Sequence, residues 1–268
     1  MIAVPTNSLT SESLTIPSRV VDPVLCRPFT INATYYPPAD TAGPAPLVVF
    51  NHGSTGQGAD RGRIPRRAVL RYESQARYFH DRGFAFVAPM RRGRGGSEGE
   101  YLESYEWNAL KLAEGLQHAL DDVGATVNFM RQRSDIDARR ILVAGHSRGG
   151  LLSVVYAGLH PAGLVGSINF AGGWIAENGM MEDFNREVFV RAGAGAEAPS
   201  LWLYAENDRH HSTAMIRRWH DAYTGAGGSA ELYLFGPVDD DEGHQLLERP
   251  GLWQSAMDAF LHQLGFFW

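Results

Sequence analysis

Short apolar runs alternate with helix-like segments from about residue 45 to the end of the 268-residue chain. Each run is bounded by Gly, Pro or polar residues, which is typical of central strands buried on both faces. Parallel strands need crossover connections, and these are usually helices. The alternation therefore predicts an α/β fold with a mostly parallel, doubly wound sheet and flanking helices. The six predicted strands are residues 47–50, 84–88, 141–144, 164–170, 201–204 and 232–235.

The longest segment between two of these runs has apolar residues at every third or fourth position, which predicts a long amphipathic helix. Its apolar face comprises Leu112, Leu116, Leu120, Val123, Val127 and Met130. Residues 12–19 and 29–36, rich in β-branched and aromatic side chains, are predicted to pair as antiparallel strands at the sheet edge. Further helices are predicted near residues 73–82, 149–159, 213–223 and 253–264.

The length of the chain and its mass of 29.5 kDa fit a single domain over residues 1–268. Within it, the pattern weakens over residues 173–198 into Gly, Ala, Glu and Met with a helix-like middle. Two interpretations of this segment stay open. It is either a small cap-like insertion over a functional site or an ordinary long crossover between strands.

Composition excludes several classes of protein. A net charge of −6, without a nucleic-acid-binding motif, argues against a nucleic-acid partner. No apolar run approaches the roughly 18 residues that span a bilayer, and no signal peptide is visible, so we expect a soluble cytoplasmic protein with no membrane partner. Cys26 is the only cysteine, which excludes an intramolecular disulfide.

The segment Gly145-His-Ser-Arg-Gly149 follows one predicted strand directly and precedes a predicted helix. Glycines two positions before and after Ser147 allow a strand-to-helix turn so tight that Cβ atoms would collide with neighbouring backbone. The helix that follows directs its N–H groups and positive dipole end towards the serine. A tight turn with an exposed serine is the alternative, but the context favours a nucleophile elbow.

A serine hydroxyl is a weak nucleophile, so a histidine must take its proton and a carboxylate must orient that histidine. On a doubly wound sheet both should follow later strands, at their C-terminal ends. Asp208 follows the run 201–204 and His244 follows the run 232–235. The order Ser147, Asp208, His244 leaves room for a strand and a helix between successive members, which predicts a catalytic triad.

With these motifs the chain resembles the serine α/β-hydrolase superfamily, from about residue 11 to its end. Its Gly-His-Ser-Arg-Gly-Gly elbow, Glu-Asn-Asp segment and Gly-His-Gln segment are similar to the dienelactone-hydrolase and prolyl-oligopeptidase-like branch. The resemblance implies the α/β-hydrolase fold. It also implies an esterase, lipase or peptidase activity that needs no cofactor and no metal.

Two further loops are similar to loops of that family. Residues 51–56, Asn-His-Gly-Ser-Thr-Gly, resemble its His-Gly-x oxyanion loop, which implies that the backbone N–H groups of Ser54 and Arg148 bind the oxyanion. Residues 89–97 resemble its Asp-x-Arg-Gly-x-Gly-x-Ser loop, but Met90 stands at the aspartate position. Any salt bridge of that aspartate is therefore in doubt.

Other assignments near the site are weaker. Glu206 could replace Asp208 as the acid, whereas His210 and His211 lie too close to Asp208 to complete the triad and are assigned a surface or cap role. The run 239–244, Asp-Asp-Asp-Glu-Gly-His, is interpreted as a solvated loop rather than a metal site, because no octahedral ligand pattern is present.

Two arginine clusters begin at the predicted site edge, and arginines bind carboxylates in a bidentate manner. They indicate either a preference for anionic esters or lactones, or ion pairs with Glu98, Glu100 and Glu103. The clusters are Arg61, Arg63, Arg66, Arg67 and Arg71, then Arg91, Arg92 and Arg94.

The sequence as a whole predicts a carboxylic ester hydrolase whose partner is a small-molecule ester. A peptidase, an acyltransferase and a non-catalytic binding protein of the same fold are the alternatives, because specificity lies outside the triad.

Overall fold

The computed structural model describes residues 9–24, 26–39, 43–54, 65–103, 109–174, 182–238 and 242–268. Its strands are β1 (Glu12–Asp22), β2 (Arg27–Tyr36), β3 (Ala45–Asn51), β4 (Ala85–Pro89), β5 (Ile136–His146), β6 (Leu164–Phe170), β7 (Ser200–Ala205) and β8 (Ala230–Phe235). Its α-helices are α1 (Glu73–His80), α2 (Ala109–Met130), α3 (Arg148–Ala157), α4 (Glu182–Gly195), α5 (Thr213–Gly225) and α6 (Pro250–Gln263). A 3₁₀ helix spans Gly243–Glu248.

The strands form one eight-stranded sheet in the order β1-β2-β4-β3-β5-β6-β7-β8. The pairs β1–β2 and β2–β4 are antiparallel, and the pairs from β4 to β8 are parallel. The predicted mostly parallel α/β sheet is therefore confirmed, as is the antiparallel pair at its edge. This is the α/β-hydrolase fold.

Helices cover both faces of the sheet because successive residues of each buried strand point to opposite sides. On β3, Leu47 and Val49 join the core beneath α2, α3, α4 and α5, whereas Val48 and Phe50 join the core beneath α1 and α6. The predicted apolar face of α2 lies in the first of these cores. Because helices cover both faces of the sheet, the central strands are nearly continuous apolar runs in the sequence.

One strand differs from the sequence prediction. The run 232–235 predicts a central strand buried on both faces, but β8 lies at the sheet edge and is half-buried throughout, because no other strand of the described residues pairs with its outer side. Helix α4 is a crossover helix of the layer, since Val188, Phe189 and Ala192 belong to the core shared with α3 and α5. Residues 175–181 lie outside the described part of the chain, and the cap-like insertion over residues 173–198 stays a prediction.

The parallel strands bring the chemistry-bearing loops to one edge of the sheet. The C-terminal end of β3 leads into residues 52–54, that of β5 into Ser147, and that of β7 into Asp208. The segment after β8 leads to the 3₁₀ helix that contains His244. None of the helices described here combines the length and apolar character that a bilayer crossing requires.

Candidate active site

Ser147 lies at the sharp turn between β5 and α3, with φ 55° and ψ −124°. A non-glycine residue at positive φ is strained, and such strain clusters at functional sites. The neighbouring glycines make the turn possible: a Cβ on Gly145 would overlap Gly149, and a Cβ on Gly149 would overlap the carbonyl oxygen of Asn51. The close approach predicted from the sequence is present, and Ser147 is held at the start of α3.

The loop after β3 lies directly beside the serine. A Cβ built on Gly53 would stand 3.2 Å from the Cβ of Ser147, so a larger residue would crowd the serine. Ser54 follows on this loop, and Arg148 is the first residue of α3. Arg148 therefore adjoins Ser147 in sequence, and the loop that carries Ser54 adjoins it in space; donation by these two N–H groups to an oxyanion stays a prediction.

His244 and Asp208 meet although they come from different loops. The Nδ1 of His244 lies 2.9 Å from Oδ2 of Asp208, which is hydrogen-bond distance. The other carboxylate oxygen, Oδ1, accepts the backbone N–H groups of His210 at 2.8 Å and His211 at 3.1 Å. Asp208 is buried, whereas the alternative acid Glu206 is exposed. The geometry therefore favours Asp208 as the partner of His244.

Contacts from three sides fix the loop of His244. Asn207 binds Val238 twice: its Nδ2 donates to the Val238 carbonyl at 2.8 Å and its Oδ1 accepts the Val238 N–H at 2.9 Å. A Cβ on Gly243 would overlap Asn207 and Asp208, so glycine lets this segment dock closely. The Nε2 of His146, the residue before Ser147, lies 2.7 Å from the carbonyl oxygen of His244. The elbow and the histidine loop are thus in direct contact.

Electrostatics favour a charged Asp208 and a neutral His146. Burial raises the pKa of Asp208, but the imidazoles of His211 and His244 outweigh it and hold this pKa well below its usual range. Burial, followed by electrostatic interaction with His244, lowers the pKa of His146 to about 3. A carboxylate that stays ionised beside an imidazole stabilises the imidazolium that forms when that ring accepts a proton.

A buried ion cluster beneath the loop of residues 52–54 was not predicted as a unit. Arg91 donates to Glu103 (Nη2 to Oε2, 2.9 Å) and to the carbonyl oxygen of His52 (2.8 Å). Arg148 donates to the carbonyl oxygen of Glu103 at 2.7 Å and to its carboxylate at 3.2 Å. Burial alone would raise the pKa of Glu103, but Arg91 and Arg148 lower it to about 2. The cluster anchors both sides of the serine.

His52 completes this anchor as a neutral base. Its Nδ1 lies 2.7 Å from the Gly53 carbonyl oxygen, to which it donates, and its Nε2 accepts the Arg91 N–H at 3.1 Å. Burial, followed by the charge of Arg91, lowers its pKa to about 3. A signal for this role was present in the sequence, because His52 follows a buried strand directly.

The three arginines of the second cluster are buried and contact other side chains of the protein. Arg91 pairs with Glu103, as the ion-pair alternative predicts, and Arg92 pairs with Asp122 (Nε to Oδ1, 3.0 Å). Arg94 is buried over the ring of Tyr101.

Two arginines of the first cluster, Arg66 and Arg67, are exposed. They line a cavity of about 290 Å³ together with Gly93, Gly96 and Ser97. Arg61 and Arg63 lie outside the described residues.

Three further predictions concern His211, Met90 and the acidic run 239–241. His211 is not a surface or cap residue: its side chain is 1% exposed and lies against Asp208, because the chain turns back towards α5 immediately after β7. Met90 is buried in the position of the family's aspartate and packs against Gly95. The acidic residues 239–241 lie outside the described part of the chain.

The sequence matches the Hydrolase_4 family, described as serine aminopeptidase S33, over residues 67–210, more than half of the chain. The chain belongs to this family. No curated protein sequence matches it significantly. The matched region of this family member includes the elbow and Asp208, whereas Gly53 and His244 lie outside it.

Solved structures of hydrolases share the fold. A protein of Klebsiella pneumoniae described as a putative dienelactone hydrolase superposes with a TM-score of 0.63 at 19% identity, covering 96% of this chain and 97% of that one. An esterase of Pyrococcus furiosus gives 0.67 at 14% identity, covering 96% and 91%. An acetyl xylan esterase from Paenibacillus sp. R4 gives 0.64 at 18% identity, covering 98% and 86%. The chain therefore has the α/β-hydrolase fold of these proteins.

Proposed function

We propose that this protein hydrolyses carboxylic esters or lactones of small molecules through an acyl-enzyme on Ser147. The observation that carries the proposal is the 2.9 Å contact between His244 and Asp208 on a loop that docks against the Ser147 elbow. Family membership and the esterase neighbours support a hydrolase at the coarser level. The roles of the individual residues follow from their chemistry.

The first half of the reaction forms the acyl-enzyme. The Oγ of Ser147 attacks the ester carbonyl carbon while its proton passes to Nε2 of His244. The carbonyl π electrons move to oxygen, and the backbone N–H groups of Ser54 and Arg148 donate to this oxyanion. When the oxyanion collapses, the bond to the alcohol oxygen breaks, and His244 returns the proton to that oxygen as the alcohol leaves.

The second half regenerates the serine. Water attacks the acyl carbonyl and gives a proton to Nε2 of His244. The second oxyanion accepts hydrogen bonds from the same backbone N–H groups of Ser54 and Arg148. Collapse breaks the bond to Ser147, which recovers its proton from His244. In both halves Asp208 accepts the Nδ1–H of His244 and stabilises the imidazolium, while it remains ionised itself.

A panel of chromogenic esters of increasing acyl length tests this function and defines the acyl pocket. We expect turnover of at least some esters by the wild type, and a fall of about 10³-fold or more for Ser147→Ala. Ser74→Ala is the matched control, because Ser74 is an exposed serine of α1. A Ser147→Ala variant with near-normal turnover would refute the proposal.

Three alternatives are separated by parallel assays. A peptidase would cleave the matching amides, and an acyltransferase would transfer the acyl group to an added alcohol in preference to water. A non-catalytic binding protein would not react with a fluorophosphonate. Proteins with each of these activities share this fold, so the fold does not distinguish among them. The three assays above do.

A further inference from the structure

A second histidine faces the carboxylate of Asp208. The Nδ1 of His211 lies 3.4 Å from Oδ2, the same oxygen that His244 approaches to 2.9 Å. The side chains of Asp208, His211 and His244 are 0%, 1% and 5% exposed, so the three groups form an enclosed cluster. The hydrolytic mechanism uses two of them and assigns no role to His211.

Neither ring nitrogen of His211 has a hydrogen-bond partner among the described residues. The separation of 3.4 Å from Asp208 is longer than an ordinary N–H···O bond. The ring of Trp219 lies 5.1 Å from the His211 ring and that of Tyr204 lies 6.4 Å from it, and a Cβ on Gly173 would stand 2.6 Å from Nε2. Buried polar groups are nearly always satisfied, so this imidazole beside a carboxylate is a group that can bind a further ligand.

The spacing of the three groups fits a transition-metal ion. One donor atom from each residue lies within 4.8 Å of the other two, and among the described residues no other group of three or more His, Cys, Asp or Glu side chains does this. Zn²⁺ binds His nitrogen and carboxylate oxygen at about 2.0 to 2.2 Å, so neighbouring tetrahedral ligands lie about 3.3 to 3.5 Å apart. The observed 2.9 and 3.4 Å from the two imidazoles to Asp208 lie near this range, and the two imidazole donors lie within 4.8 Å of each other.

The donor set also selects the kind of ion. Two imidazoles and one carboxylate suit Zn²⁺ and its neighbours in the first transition row, with one position left for water. Mg²⁺ and Ca²⁺ prefer oxygen ligands throughout. The negative charge of Asp208 offsets part of the charge of a divalent ion at this buried position.

We propose that Asp208, His211 and His244 form an inhibitory binding site for a divalent transition-metal ion such as Zn²⁺. The ion takes the Nδ1 lone pair of His244, and the single proton of this neutral ring is then held on Nε2 instead of Nδ1. No proton is lost overall, but Nε2 has no lone pair left to accept the proton of Ser147. The inhibitory effect rests on the proposed function, whereas binding of the ion does not.

The binding test uses metal-free full-length protein and measures Zn²⁺ affinity by competition with a chromophoric chelator. We expect one tightly bound ion in the wild type, at least tenfold weaker binding for both His211→Phe and His211→Asn, and no competition from Mg²⁺. His160→Gln is the matched control, because His160 forms an exposed pair with Glu197 at 3.4 Å, and it should bind as the wild type does. Using two His211 variants guards against one of them failing to fold.

The second readout is the rate at which a fluorophosphonate labels Ser147, with and without Zn²⁺. We expect Zn²⁺ to slow labelling at least tenfold in the wild type and less than twofold in the His211 variants. Absence of binding, or equal affinity in wild type and both His211 variants, would overturn the site. Binding that depends on His211 but leaves labelling unchanged would overturn the inhibition. A protein that is never labelled but binds Zn²⁺ through His211 would retain the site and lose the proposed function.

Discussion

The imidazole of His244 and the carboxylate of Asp208 are 36 residues apart in the sequence, yet Nδ1 and Oδ2 lie 2.9 Å apart. This contact orients the ring and selects the tautomer that carries its proton on Nδ1. The ring nitrogen Nε2 is left as the proton acceptor. The ability of His244 to accept a proton therefore depends on Asp208.

Replacing Asp208 by asparagine should lower kcat by about 10⁴-fold, because an amide cannot stabilise the imidazolium and favours the wrong tautomer. The side chain keeps its size, so KM should change little. Steady-state kinetics on the best ester of the panel, with circular dichroism to check folding, would measure this. Glu206→Gln is the control, and a larger loss for it than for Asp208→Asn would reverse the assignment of the acid.

Gly149→Ala should abolish activity and destabilise the fold by about 1 to 3 kcal/mol or more, since overpacked side chains force the backbone to move. Its Cβ would overlap the carbonyl oxygen of Asn51. Gly251→Ala is the control, because nothing lies within 4 Å of a Cβ there, and alanine in α6 should stabilise by about 0.5 to 1 kcal/mol. Urea denaturation measures both, and similar values for the two variants would contradict this account of the elbow.

Glu103→Gln should destabilise the protein by about 3 to 5 kcal/mol, because it leaves Arg91 and Arg148 buried without their counter-charge. Activity should fall as well, since Arg91 holds the carbonyl of His52 beside the proposed oxyanion loop. Glu98→Gln removes an exposed ion pair with Arg27 and should leave the stability nearly unchanged. Denaturation curves in which both variants resemble the wild type would show that the cluster does not anchor the loop.

Acid should destabilise the protein through His52. Its pKa is about 3 in the folded state and about 6.5 in an unfolded chain, so between these values only the unfolded state binds the proton. The stabilisation is complete above pH 6.5 and is lost as the pH falls towards 3, by up to about 1.4 kcal/mol per pH unit. The free energy of unfolding from pH 7 to 4 should fall less steeply in His52→Gln than in the wild type or in the exposed control His160→Gln. Equal slopes in all three would exclude the contribution of His52.

The sequence predicted the parts of the fold that depend on local pattern. Apolar runs located the strands, and the glycines around Ser147 located the elbow, because the tight turn leaves no room for a Cβ at Gly145 or Gly149. The meeting of Asp208 and His244 was predictable because parallel strands bring their C-terminal ends to one edge, whereas their catalytic role with Ser147 stays a prediction.

Relationships between distant side chains were not readable in the same way. Nothing local indicates that Glu103 lies between Arg91 and Arg148, so an arginine-rich loop at the site edge was open to interpretation as an anion-binding surface. The burial of His211 depends on how the chain turns after β7, and the edge position of β8 depends on which of the described strands pair with it. Both are set by tertiary packing rather than by periodicity.

Reaction with a fluorophosphonate, followed by peptide mass spectrometry to map the adduct, tests whether Ser147 is a nucleophile activated by His244. We expect one stoichiometric adduct, on Ser147, and labelling slowed at least a hundredfold by His244→Gln. An adduct on another residue, or labelling of Ser147 that does not depend on His244, would contradict it.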